Sequence, residues 1–150
     1  MRKGIIAVAA VVVLLLGWLG FSSTRPPDFH DYRKLAVESA DSAYGAVRTA
    51  SLAVTASLEH KAPGPYLSVM LDGCVRDASG AIGQFAQLPP PDAGTAAMRD
   101  ELAPLLAEAV RQTGDVRAAA DRADPTGLRD AAAGLQALAE RLDDFLERHG

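Results

Sequence analysis

Residues 125–148 read PTGLRDAAAGLQALAERLDDFLER. Leu128, Ala131, Leu135, Leu138, Leu142 and Phe145 recur three and four apart in alternation, which lines them along one side of a helix. Ala132, Ala139 and Leu146 widen that stripe. Asp130, Glu140, Arg141, Asp143, Asp144 and Glu147 take the other side. A helix with one apolar face is unstable alone and needs partners for it.

Upstream segments supply them. Asp28 to His60 carries Phe29, Tyr32, Ala36, Ala40, Ala43, Val47, Ala50, Val54 and Leu58 at helical spacing, with Asp28 placed to cap it. Lys61-Ala62-Pro63-Gly64-Pro65 breaks the pattern. Pro65 to Gln87 follows, with Leu67, Leu71, Cys74, Ala78, Ala81, Phe85 and Leu88 as its stripe, widened by Met70, Val75 and Ile82. Leu88 to Gly94 contains Pro89-Pro90-Pro91 and is the second break. A third segment begins with Thr95 as its expected N-cap and carries Met98, Leu102, Leu105, Ala109, Thr113, Val116 and Ala120. Pro104 is expected to kink it or to mark its true start. Asp124-Pro125-Thr126-Gly127 closes it.

No strand-like alternation appears. The reading is all-α: an antiparallel up-down four-helix bundle over 28–150, preceded by one N-terminal transmembrane helix. Two helical hairpins that complete their core by dimerising are the alternative. The many alanines on the first stripe predict close helix axes and little interior room for a haem or other large cofactor.

The N-terminal helix is read from Gly4 to Phe21, GIIAVAAVVVLLLGWLGF, which has no charged residue. At ~1.5 Å per residue it spans ~27 Å, close to the ~30 Å hydrocarbon core. Arg2 and Lys3 favour a cytoplasmic N-terminus, and Trp18 suits the outer interface. Residues 1–21 are thus expected to be a signal-anchor that holds the chain to the lipid bilayer through 4–21. Residues 22–27, with Pro26-Pro27, form a linker, and 28–150 face outward. A signal peptide with secretion of the remainder is the alternative. No twin arginine occurs, and the only cysteine, Cys74, lies too far along to anchor a lipoprotein.

The full chain has a formal net charge of −4. Without Arg2 and Lys3, 13 basic residues face 19 acidic ones, a net −6. That argues against nucleic acid as a partner. About a fifth of the chain is alanine, the best helix former. Asn is absent and Lys and Ile occur three times each, which fits a high-GC bacterial coding sequence.

Catalytic equipment is not legible. One cysteine excludes an internal disulfide framework and a multi-cysteine zinc site. Glu-x-x-His, Cys-x-x-Cys-His, Gly-x-Ser-x-Gly and the phosphate-loop patterns are all missing. His30, His60 and His149 are expected to be solvated residues near helix ends. Met70, Met98 and Cys74 are expected to pack in the core, and Asp100, Glu101, Asp143, Asp144 and Glu147 to be solvated charges. No residue is assigned to catalysis, to a cofactor or to a metal. The expected role is a non-catalytic interaction or structural module of the cell envelope, whose partner is another envelope protein or a second copy. An exported small-ligand or metal-binding bundle is the alternative, with Tyr32, Tyr44 and Tyr66 as the residues to inspect.

Overall fold

The computed structural model describes residues 29–61 and 63–150. Among them are four helices and no strand: α1 (Phe29–Leu58), α2 (Gly64–Ala86), α3 (Ala93–Asp121) and α4 (Pro125–His149). The expected membrane helix over 4–21, the linker 22–27 and the cap at Asp28 lie outside the described residues. Among the described residues no helix is long and apolar enough to cross a membrane.

The helix ends follow local chemistry, with two departures from expectation. Asp92, not Thr95, caps α3. The Asp92 carboxylate accepts from Thr95 N–H at 2.8 Å, and the Thr95 hydroxyl accepts from Asp92 N–H at 3.1 Å. This reciprocal pair satisfies two backbone donors, and Thr95 is its buried inner member. Those bonds from Thr95, backbone first, hold the Asp92 carboxyl below the usual carboxylate range. The second departure is Pro104. α3 continues past it as one helix from 93 to 121, so Pro104 does not mark its start. Pro104 and Asp100, whose carbonyl loses its usual donor, are both exposed, so water can serve that carbonyl.

α1 and α3 both end in a left-handed residue that is not glycine, His60 (φ 57°) and Ala123 (φ 50°). At the first end His60 N–H reaches Ser57 O at 3.0 Å and Lys61 N–H reaches Ala56 O at 2.8 Å. At the second, Ala123 N–H reaches Ala120 O and Asp124 N–H reaches Ala119 O, both at 3.0 Å. Each is a Schellman closure, which normally favours glycine at the left-handed position. Asp124 then caps α4, accepting from Thr126 N–H at 3.2 Å and Gly127 N–H at 3.0 Å. A Cβ on Gly127 would fall 2.5 Å from the second Asp124 carboxylate oxygen, so glycine leaves room for the cap.

The apolar stripes meet in one core within a single chain. α1 packs on α2 and α4, and α3 packs on α2 and α4. α1 and α3 also touch across the middle, whereas α2 and α4 do not meet. Alanines 36, 40, 43 and 50 of α1 are fully buried and permit that short diagonal. The larger fully buried side chains include Phe85, Leu71, Leu102, Leu106, Leu135, Leu138, Leu142 and Phe145. Each contributes roughly 1.5–3 kcal/mol on leaving water.

Polar ties record the helix directions. Arg117 Nε donates to Asp72 at 2.6 Å, and Arg141 donates to Glu108 at 2.7 Å. Arg148, seven residues beyond Arg141, pairs with Glu101, seven residues before Glu108. Near the start of α1, Arg33 donates to the carbonyls of His149 (2.7 Å) and Gly150 (2.9 Å) at the end of α4. These ties are compatible with the antiparallel up-down bundle that the stripes predict.

Candidate functional site

The outward side of α1 forms a ridge: Lys34, Glu38, Asp41, Gly45, Arg48 and Leu52, three and four residues apart and all exposed. Two surface grooves flank it. Between α1 and α4 lies a polar groove of about 300 Å³, lined by Tyr44, Arg48, Ser51, Gln136, Glu140 and Asp143 among others. Arg48 stands 5.7 Å from the centre of the Tyr44 ring, within cation–π range. Its guanidinium makes no ion pair among the described residues, although Glu140 and Asp143 share the groove.

Between α1 and α2 lies a groove of about 320 Å³ with a different character. Ser42, Gly45, Ala46 and Thr49 line it from α1; Val69, Met70, Gly73, Cys74 and Asp77 line it from α2. Val69 is 71% exposed, and Leu52, one turn beyond Thr49, is 64% exposed. Tyr66, one turn before Val69 and Met70, is 57% exposed. With Phe29, these are the large apolar side chains left in solvent among the described residues. Three of the four therefore fall on the part of the surface formed by the second half of α1 and the start of α2. Cβ atoms on Gly45 or Gly73 would meet nothing within 4 Å among the described residues, so no contact there calls for glycine.

The residues singled out in the sequence do not converge. Tyr32 is fully buried against Phe85, with ring centroids 5.7 Å apart. Its hydroxyl has no hydrogen-bond partner among the described residues. Burial pushes the phenol pKa up, Arg99 opposes that, and Asp100 adds to it. Tyr44 lines the polar groove and Tyr66 is exposed, so the three tyrosines share no pocket. Cys74 is buried, and desolvation followed by the charge of Asp77 raises its thiol pKa. Met98 is buried as expected, and Met70, half-buried, packs against the core while also lining the α1–α2 groove. Among the described residues no group of three His, Cys, Asp or Glu could hold a metal.

Glu101 and His149 depart from the solvated role expected of them. His149 Nε2 lies 3.2 Å from a Glu101 oxygen, its ring packs against Phe145 at 4.5 Å, and Arg148 pairs with the same carboxylate. Burial pushes the Glu101 carboxyl up, but the hydrogen bonds from His149 and Arg148 outweigh it, and the net displacement is downward.

No protein-family model, curated protein or solved structure matches this chain.

Proposed function

We infer that the bundle is a non-catalytic interaction or structural module of a bacterial cell envelope. In this reading residues 4–21 hold it to the membrane, with the N-terminus cytoplasmic and the bundle outside. The observation that carries it is the exposure of Leu52, Tyr66 and Val69 on the second half of α1 and the start of α2, with Val69 lining the α1–α2 groove and Leu52 the α1–α4 groove. Exposed apolar residues near one end of two neighbouring helices, on a surface otherwise rich in charge, suit protein docking. The uncharged run from Gly4 to Phe21 supports the anchor.

The test places a photoreactive amino acid at Val69, and separately at the exposed Asp130 on α4, in the full chain in its own membranes. Discrete protein adducts are expected from position 69 and not from position 130. Equal labelling at both, or none at 69, removes the basis for the docking role. Carbonate washing checks the anchor: a chain released by it is not membrane-spanning.

The polar groove between α1 and α4 favours a second reading, an exported small-ligand binder. Arg48, Glu140 and Asp143 together offer both charges to a zwitterionic ligand. Its width to solvent makes it the weaker reading, since specific small-molecule sites bury most of their ligand.

A further inference from the structure

We propose that the occupant of the α1 ridge is a second copy of this chain, docked antiparallel about a twofold axis beside Gly45. The proposal rests on the interaction-module reading and names its partner. Lys34 already pairs with Glu38 one turn away, at 3.8 Å. Asp41 and Arg48 stand one turn to either side of Gly45, and neither has an ion-pair partner among the described residues. An antiparallel copy centred on Gly45 sets each Asp41 opposite the partner's Arg48, twice over. A parallel copy sets like charge against like. The ridge therefore carries both halves of one charge pattern, which is what a twofold interface requires.

Gly45 gives the pairing its centre. It lies midway along a 30-residue helix, where glycine costs up to ~1 kcal/mol relative to alanine. Among the described residues nothing lies within 4 Å of where its Cβ would be. A bare backbone at the crossing point lets two helix axes approach toward the ~8 Å end of the usual range. Two copies on one membrane can reach this arrangement. Residues 22–28 span at most ~25 Å, enough for both bundles to lie with α1 along the surface. A twofold axis normal to the membrane then makes the helices antiparallel.

The test uses the full chain in its membranes with Cys74→Ala, so that each added cysteine is the only one. Gly45→Cys and Leu52→Cys are both at exposed positions and are compared under copper–phenanthroline oxidation. Position 45 meets its own copy across the axis, whereas the two copies of position 52 lie ~20 Å apart along an antiparallel pair, beyond disulfide reach. The expected result is a disulfide-linked product of twice the chain mass from position 45, at least tenfold more than from position 52. Asp41→Arg is expected to cut the position-45 yield several-fold, and Arg48→Asp added to it to restore the yield. Equal yields at 45 and 52, no product at 45, or no restoration by the double swap overturns the proposal. A position-45 product of any other mass overturns the second copy while leaving the module reading standing. A chain without adducts at Val69 as well loses both.

Discussion

The same substitution, alanine to glycine, should change stability in opposite directions at two places in this bundle. Ala123 closes α3 with φ 50°, where a Cβ costs roughly 1–2 kcal/mol. Ala123→Gly removes that cost, while the unfolded chain gains freedom worth about 0.4–1 kcal/mol. The net is a stabilisation of about 0.5–1 kcal/mol. Ala133 is exposed in the interior of α4, where glycine in place of alanine costs about 1 kcal/mol. For a bundle of roughly 120 residues the unfolding entropy is about 0.25 kcal/mol/K. Ala123→Gly should therefore raise Tm by about 2–4 °C, and Ala133→Gly should lower it by about 4 °C. Thermal melts of the purified full chain in one detergent, followed by circular dichroism at 222 nm, read both. The Schellman closure at Ala123 is refuted if the two variants fall together.

Leu142→Ala removes a fully buried side chain of α4 and should cost about 2–5 kcal/mol in denaturant titration; a loss under 1 kcal/mol would mean the site is not in the core. Asp92 and Glu101 have carboxyls held below their ordinary values. Their contribution is present above the unfolded carboxylate pKa and is lost as pH falls through the folded one. Asp92→Asn keeps a capping acceptor without the charge, so its stability should fall less steeply than wild type between pH 5 and pH 2; parallel slopes would count against the charged cap. The Cys74 thiol, buried and with its pKa raised, should react with a disulfide reagent at least a hundredfold more slowly in the native chain than in 6 M guanidinium. Comparable rates would place it at the surface.

Much of the fold was legible because periodicity reports burial directly. Ala36, Ala40, Ala43, Val47, Leu135, Leu138, Leu142 and Phe145 were named from spacing and are buried. The alanine content of α1 points to close axes, and α1 and α3 touch across the middle of the bundle. Spacing alone puts the cap of α3 three residues late, at Thr95 rather than Asp92, because both are good caps and the three prolines beside Asp92 draw the break past it. Pro104 does not start α3, since its cost depends on whether water reaches the freed carbonyl, a matter of facing rather than of composition. The Glu101–His149–Arg148 cluster was missed because it depends on the register between α3 and α4, which no single helix encodes. The α1 ridge was invisible for a related reason. Gly45 and Leu52 look unremarked along one helix, and only the packing of α2 and α4 to either side turns them into a surface between two grooves.

The contact between α1 and α3 gives the bundle a rhombic cross-section, with α2 and α4 at its distant corners. A rhombus with sides of fixed length deforms by shear. Prising the short diagonal apart draws the far corners together and swells the interior on the way. The alanine seam is thus a latch, closed by the smallness of its side chains rather than by their grip. A bulky residue at Ala40 or Ala43 would work as a wedge, and interior space for a guest would have to open along that seam.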